Sequence, residues 1–258
     1  MRYTSILCLF VLLLPIFLPA QVLQQENPKS SQLKDPDNFP FSFFLSLGLP
    51  GATMSYDHGY QNLYELFETK GVNLPRYRSM LFYGAGIRYK RVYAGASLSS
   101  LIAPFILEPY GNPKYNMVAS QSVNMFNVGF SIFQNRNSAL ILKAGIGDAS
   151  SSFWITPLEG GIEVDFDQIE QVAEPIAFPH VFHKSMFLDL GIELLQGRAK
   201  SRTSLSQNIQ FGYRRGLNEE SWQAVNASSV NAPIDRFGQF YVQVFFLFGA
   251  NFPKKNKS

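Results

Sequence analysis

The chain has 258 residues, of which 46% are apolar, 15% aromatic and 16% charged, whereas a typical soluble domain is about 25% charged. The low charge excludes an intrinsically disordered chain, and a formal net charge of +3 is too small to indicate nucleic-acid binding by itself. A mean hydropathy of −0.02 excludes a protein built from membrane-spanning helices, so apolar and polar residues must be finely interleaved.

Residues 1–20 have the features of a signal peptide. A charged start precedes an apolar run over residues 6–18, and Ala20 supplies the small residue expected at a cleavage point. The run is shorter than the about 20 residues of a bilayer-spanning helix. Cys8, the only cysteine, lies at the start of this run, so we expect an exported chain without an internal disulfide. Residues 21–39 are polar and are predicted to form a periplasmic N-terminal lead.

Beyond this lead, apolar and polar residues alternate with the period of two that is typical of strands. One face of each stretch is almost purely apolar, whereas the other collects Gly, Ser, Asn, Gln and the mid-strand charges. An apolar face toward lipid and a mixed face toward a closed interior account for both. The pattern predicts an all-β fold, a closed antiparallel up-and-down transmembrane β-barrel. Its eight stretches are 40–49, 80–90, 92–101, 122–133, 138–147, 185–196, 204–214 and 239–252.

The connections between these stretches alternate strictly between short and long. Short turns on one side and long loops on the other are typical of outer-membrane barrels, with the short turns in the periplasm. A soluble lipocalin-like barrel or a β-sandwich is the alternative, but neither has a reason to sort its loops by length. An even number of strands places both termini on the periplasmic side. The barrel is predicted over residues 40–252, followed by a basic tail at 253–258.

The third long connection leaves the strand count open. Residues 153–158 and 162–166 flank Glu159-Gly160-Gly161 in the manner of a hairpin. We interpret this hairpin as an external extension of the loop, because its arms are shorter than the 9–11 residues of a typical membrane strand. The alternative is a barrel of ten strands with a wider interior.

Eight tilted strands enclose a space that side chains roughly fill. Charges that point into it need partners, because an unpaired buried charge is costly. Parity places Arg88, Lys143, Asp189 and Glu193 inward, so we expect ion pairs between the two cations and the two carboxylates. The alternative is a gate or small-solute path, which would make the protein a narrow, porin-like passive channel.

Two loops carry further candidate residues. Glu163, Asp165 and Asp167 of the third long connection would share one face of an extended segment, where clustered oxygens suit Ca²⁺ or Mg²⁺. No spaced calcium-binding motif accompanies them, so we interpret this connection as a solvated acidic loop and assign no metal site.

The first long connection contains a short amphipathic helix. Its apolar residues follow the i, i+3, i+4, i+7 spacing of one helical face, and we expect that face to cap the barrel rim. The alternatives are that it lies on the membrane surface or docks on a partner. The contact face consists of Tyr60, Leu63, Tyr64 and Phe67.

Candidate catalytic groups are few. His183, Ser185 and Glu193 resemble, in residue type, the His, Ser and Glu of some outer-membrane lipid A deacylases. In those enzymes the groups lie on the lipid-facing side, whereas parity points them inward here. Asp57-His58 near Ser55 lies in a loop without fixed geometry. The sequence contains no zinc-ligand spacing, phosphate-binding glycine loop or paired-cysteine motif. We therefore expect no enzymatic activity, no catalytic residues and no cofactor, with a lipid-modifying enzyme as the remote alternative.

Strand alternation, loop sorting, the Ala20-Gln21 junction and a last strand that ends on Phe252 together resemble the small outer-membrane β-barrels. These include the membrane domain of OmpA, OmpX and the outer-membrane β-barrel families of Bacteroidota. The resemblance covers residues 40–252 and implies an eight-stranded barrel in the outer membrane of a Gram-negative bacterium. It transfers no binding residue. We expect a non-enzymatic structural or interaction protein, an accessory subunit of an envelope complex, with lipid, lipopolysaccharide and other envelope proteins as partners and no nucleic acid.

Overall fold

The computed structural model describes residues 40–49, 53–69, 74–107, 115–134, 138–157, 180–196, 203–224 and 232–252. The predicted signal peptide, N-terminal lead, basic tail and acidic Glu163-Asp165-Asp167 segment lie outside these residues. Within them, no helix has the length and apolar character needed to cross a bilayer. The elements are β1 Phe41–Gly48, β2 Thr53–Asp57, α1 Gln61–Thr69, β3 Tyr77–Ser79, β4 Leu81–Tyr89, β5 Val92–Leu107, β6 Tyr115–Gln134, β7 Ser138–Pro157, β8 Val181–Gln196, β9 Thr203–Gly216, β10 Glu220–Ser221, β11 Gln223–Ala224, β12 Ile234–Asp235 and β13 Gly238–Phe252.

Eight antiparallel strands form a closed barrel. Hydrogen-bonded neighbours follow the order β1-β4-β5-β6-β7-β8-β9-β13, and β13 pairs back with β1. The closing register sets Phe41 opposite Phe252 and Leu45 opposite Phe248. The prediction of an all-β barrel with eight strands and one short helix is confirmed. The ten-strand alternative is wrong because its first arm prolongs β7, where Phe153 pairs with Ala119 of β6.

Strands β5, β6, β7 and β8 are several residues longer than predicted, and nearly all of this added length lies at the end of the barrel that carries α1. There β2 pairs with β13 beyond the end of β1, and β3 pairs with β2, so part of the first long connection is barrel wall. On β6 and β7 the outward residues change from apolar to polar, as at Asn124, whose amide donates to Asp148 at 3.0 Å. The backbone ladder continues through this region. The sequence prediction depends on every second residue being apolar, and it ended the strands where the outward residues become polar.

The opposite end of the barrel, here called the hairpin end, has a tight turn between β4 and β5. Lys90-Arg91 joins β4 to β5, and Lys90 adopts the left-handed φ of 54° that a two-residue hairpin favours. Phe41 and Phe252, the first residue of β1 and the last of β13, lie side by side with ring centroids 5.6 Å apart. Both ends of the barrel wall therefore lie at the hairpin end.

The outer face is apolar between two levels of aromatic rings. Phe41, Phe252 and Tyr89 mark the hairpin end, and the pairs Tyr56–Tyr77 and Tyr213–Phe240 mark the α1 end, with centroids 4.9 Å and 4.7 Å apart. From Phe240 to Phe252 the rise along a strand tilted by about 45° is about 29 Å. Aromatic girdles that flank a band about 25 Å tall are the pattern of lipid-facing barrels. Exposed outward side chains between them include Leu45, Ile87, Leu190, Leu205 and Phe248.

Because the barrel is closed, two cysteines introduced at distant positions of the sequence, one on β1 and one on β13, should form a disulfide. In a Cys8→Ser background, the pair Leu45→Cys and Phe248→Cys should oxidise to an intramolecular link, because directly opposed strand residues have the Cβ separation that a disulfide needs. The link is detected as a cross-linked peptide by mass spectrometry.

The matched control is Leu45→Cys with Leu205→Cys. Leu205 pairs with Phe248 on its other side, so it lies two strands, about 10 Å, from Leu45 and should not link. Equal linking in both pairs, or none in the first, would contradict the β1–β13 closure.

Candidate functional site in the barrel lumen

Helix α1 is packed into the barrel mouth through the face that the sequence predicted. Its apolar residues are almost completely buried, whereas Leu66 on the opposite face is exposed. They share one hydrophobic cluster with side chains from the wall and from the segment between β9 and β13. The helix therefore closes the mouth from within. The cluster includes Tyr60, Leu63, Tyr64 and Phe67 with Phe153, Phe187, Trp222 and Phe237.

Asp235 of β12 holds the N-terminus of α1 in place. One carboxylate oxygen accepts the backbone N–H of Asn62 at 2.9 Å, and the other accepts those of Leu63 at 3.1 Å and the Trp222 indole at 2.9 Å. The first amides of a helix have no partner within it, so this distant carboxylate acts as the N-cap and also suits the positive end of the helix dipole. Asp235 lies in a predicted loop, and no local sequence pattern links it to α1.

Tyr60, which precedes α1, and Tyr64, within it, are buried beneath this cap. The Tyr60 ring packs edge-on against Trp222 at 5.0 Å, and its hydroxyl lies 3.0 Å from Ser151 Oγ. Burial, reinforced by the nearby Asp57 carboxylate, raises the pKa of Tyr64 to about 12 and that of Tyr60 still further. Both phenols are therefore neutral at physiological pH, and the Tyr60 hydroxyl forms a hydrogen bond within the plug.

Below α1 lies a buried ion pair between Asp57 of β2 and Arg78 of β3. The Arg78 Nε and Asp57 Oδ2 atoms are 2.7 Å apart, and both side chains are fully buried. The guanidinium also lies over the Phe153 ring, 5.0 Å from its centroid. The pair joins the two strands that lead into and out of α1. Sequence reasoning missed it because residues 50–79 were assigned to a connection.

Gln239 of β13 joins this pair to a second one. Its Nε2 donates to Asp57 Oδ1 at 2.8 Å, and its Oε1 accepts from Arg214 Nη1 at 2.6 Å. Arg214 of β9 contacts Asp189, with Nε and Oδ1 3.5 Å apart. A neutral amide can bridge in this way because it carries both donors and an acceptor.

Tyr241 of β13, the strand next to β9, contacts both members of the second ion pair. Its hydroxyl donates to Asp189 Oδ2 at 3.1 Å, and the Arg214 guanidinium lies over its ring at 4.0 Å. Gly212 leaves room for the ring, since a Cβ there would lie 2.3 Å from Tyr241 Cζ. Parity on β9 points Arg214 inward, so the sequence did carry a signal for this partner.

Of the four charged residues predicted to face one another, the structure brings two together. Lys143 Nζ lies 3.0 Å from Glu193 Oε2 and donates to Gln210 Oε1 at 3.2 Å. Asn208 donates to the other Glu193 oxygen. Gln210 in turn donates to Tyr241 at 2.7 Å, which connects this pair to the Asp189–Arg214 pair.

The expectation that Arg88 pairs with Asp189 or Glu193 is wrong. Its Nη2 donates to Ser42 Oγ at 2.8 Å, and Ser42 donates to Asn251 at 2.7 Å. Arg88 points inward as predicted but lies at the hairpin end, two residues before the Lys90-Arg91 turn. Parity fixes the face of a strand on which a residue lies, whereas its height in the barrel depends on register.

The lumen is packed along the described strands. Two cavities of about 20 Å³ lie inside it, each with room for about one water molecule. One is lined by residues that include Phe82, Lys143 and Phe245, and the other by residues that include Arg88 and Ser206. Each of these two spaces is no larger than about one water molecule.

The residues considered for catalysis have other partners. His183 is buried, with Nε2 3.2 Å from the Asp235 carbonyl oxygen, and Ser185 Oγ donates to the Met186 carbonyl at 3.2 Å. In the second candidate group, Ser55 Oγ lies 3.8 Å from Met80 Sδ, and His58 Nε2 lies 3.2 Å from the Tyr213 hydroxyl. Across the described ranges, no group of three or more His, Cys, Asp or Glu side chains could hold a metal ion.

No protein-family model matches the sequence, and no curated protein matches it. Similar solved structures include neisserial surface protein A, with 9% identity, a TM-score of 0.35 and coverage of 83% of this chain and 97% of that one. They also include Ail, the attachment invasion locus protein of Yersinia pestis, with 10% identity, a TM-score of 0.37 and coverage of 81% of this chain and 95% of that one. The outer membrane protease OmpT of Escherichia coli has 12% identity, a TM-score of 0.38 and coverage of 86% and 100%. At these values the likenesses carry no conclusion about this chain's activity.

The N-cap contacts predict that α1 loosens without Asp235. Asp235→Ala leaves two backbone amides and an indole N–H without their acceptor, which costs about 1–3 kcal/mol per buried donor. Amides of residues 61–69 should therefore exchange with deuterium more than tenfold faster, while the barrel strands keep their protection. Hydrogen exchange read by mass spectrometry checks both.

Asp148→Ala serves as the control, because Asp148 is exposed on the outer face and accepts its hydrogen bond from Asn124 rather than from α1. It should leave exchange in α1 unchanged. Unchanged protection of α1 in Asp235→Ala would show that the helix does not depend on this cap.

Proposed function

We propose that the protein is a non-enzymatic integral β-barrel of the outer membrane of a Gram-negative bacterium. It acts as a structural or interaction protein, as an accessory subunit of an envelope complex. The observation that carries the proposal is the contrast between the two faces of the wall. The outer face is a mainly apolar band between aromatic rings, while the lumen contains charges in contact with one another.

The outer face supports a lipid environment. Large apolar side chains on the strands are left open to the surroundings, including Leu190 at 66% exposed and Phe126 at 57%. Monomeric soluble proteins rarely expose contiguous apolar patches larger than a few hundred Å². A closed barrel has no free strand edge, which is the condition for crossing a bilayer with strands.

The packed lumen supports a role other than transport. A passive channel needs a continuous polar path, whereas α1 closes one mouth and the three ion pairs lie beneath it. Three buried ion pairs, joined through Gln239, Gln210 and Tyr241, link β2, β3, β7, β8, β9 and β13 across the interior. Such a network stabilises one closed shape of the wall.

The burial of candidate catalytic groups supports a non-enzymatic role. His183 and Ser185 face the interior beneath α1, where a membrane lipid cannot approach them. The proposal leaves these side chains as packing groups and requires no cofactor.

The sorting of the connections supports an orientation. We place the hairpin end, with Lys90-Arg91 and both ends of the wall, on the periplasmic side, and the α1 end outside. In this orientation α1 and the long connections face the cell exterior, where lipopolysaccharide and other envelope proteins are the available partners.

A charge on the outer face tests the membrane placement. Leu190→Arg should lower the free energy of unfolding in lipid vesicles by about 2–4 kcal/mol, because Arg near the middle of the bilayer loses its hydration. Reversible urea unfolding gives the value. In water the same change at this exposed position would alter stability by no more than about 0.5 kcal/mol.

The matched control is Leu217→Arg. Leu217 is also exposed but follows the end of β9, beyond the aromatic level at the α1 end, so the change should be close to neutral. Equal and small effects of both variants would contradict a lipid-facing wall.

A further inference from the structure

Arg88 differs from the other buried cations of the lumen. Among the described residues, Arg78, Arg214 and Lys143 each contact a carboxylate. Arg88 is 9% exposed and donates to the Ser42 hydroxyl, while its Nε is buried without a hydrogen-bond partner in the described structure. A buried guanidinium without a counter-charge is costly.

One of the two lumen cavities lies against this side chain. It has a volume of about 20 Å³, and its polar lining comes from hydroxyl, amide and guanidinium groups. No carboxylate is among its described lining residues. A space of this size holds one water molecule or one ion of similar size. The lining consists of Ser42, Arg88, Ser204, Ser206 and Asn251 with the less polar Phe44, Tyr93, Leu195, Leu247 and Gly249.

The hydrogen bonds around the cavity leave donors available to it. Ser42 accepts from Arg88 and donates to the Asn251 Oδ1 atom, so that amide oxygen is already engaged. Asn251 Nδ2 donates to Ser204 Oγ at 3.2 Å, which leaves the Ser204 hydroxyl proton free to donate. Among the residues that the structure describes, Arg88 Nε–H likewise has no hydrogen-bond acceptor. Donors combined with a positive charge select an anion over a cation or a neutral acceptor.

We propose that this cavity binds a small monovalent anion of halide size, with Arg88 as its counter-charge. A water molecule could accept the same hydrogen bonds, but it would leave the guanidinium charge uncompensated. The volume excludes a larger anion such as a sulfate. Exposed Lys90 and Arg91 lie at the adjacent turn and raise the local anion concentration at the hairpin end. The site depends on the lumen geometry alone and stands whether or not the proposed role of the barrel is correct.

Chloride-dependent stability tests the site. The full chain, folded in detergent, is unfolded with urea in sodium chloride and in sodium gluconate of equal ionic strength. Above the dissociation constant, each tenfold rise in chloride should lower the apparent unfolding equilibrium constant about tenfold, because one anion binds the folded state. Gluconate is too large for the cavity and should give no such increment.

Arg88→Gln should remove the chloride-dependent gain in stability, whereas Arg91→Gln, at the exposed turn, should retain it. If the increment persists in Arg88→Gln, the anion binds elsewhere and the proposal is wrong. Identical unfolding of the unaltered chain in chloride and gluconate would also overturn it.

A second measurement covers the case in which Arg88→Gln does not fold. Crystals of the unaltered chain soaked in bromide should show an anomalous peak within hydrogen-bond distance of the Arg88 guanidinium and the Ser204 hydroxyl. Density for water alone in the cavity, without an anomalous signal, would overturn the proposal.

Discussion

The closure of the sheet is the constraint on which the rest of the structure depends. Once β13 pairs with β1, the inward side chains share a narrow space that they roughly fill. A charge placed there must contact an opposite charge or a strong hydrogen-bonding group, because the lumen offers no bulk solvent. The ion pairs Asp57–Arg78, Asp189–Arg214 and Lys143–Glu193 satisfy this requirement. Gln239 and Tyr241 make them one connected network.

The plug and the wall are parts of the same network. Helix α1 lies between β2 and β3, whose Asp57 and Arg78 form the uppermost ion pair. Its N-terminus is held by Asp235, from the segment that leads into β13. The mouth is therefore closed by side chains from the first and last parts of the described barrel. Displacing α1 would uncover a buried ion pair as well as apolar rings, so the closed state is favoured by both electrostatics and burial.

The sequence predicted the faces of the strands better than the heights of their residues. Alternation with a period of two identified the closed barrel, its eight strands and the inward direction of Arg88 and Lys143. It could not show that Arg88 lies at the hairpin end, because height depends on strand register and on partners far apart in the sequence. Asp57, Arg78 and Asp235 were missed for a different reason. They lie in strands of 5, 3 and 2 residues, where the alternation is too short to identify a strand from the sequence.

The central claim is that this connected network and α1 seal the lumen. Single-channel recording of the purified full chain in planar bilayers tests it most directly. We expect no reproducible step conductance, because the described side chains around Gln239 and beneath α1 occupy the lumen. A stable, reproducible conductance step of uniform size in the unaltered protein would contradict the account and would favour a narrow channel.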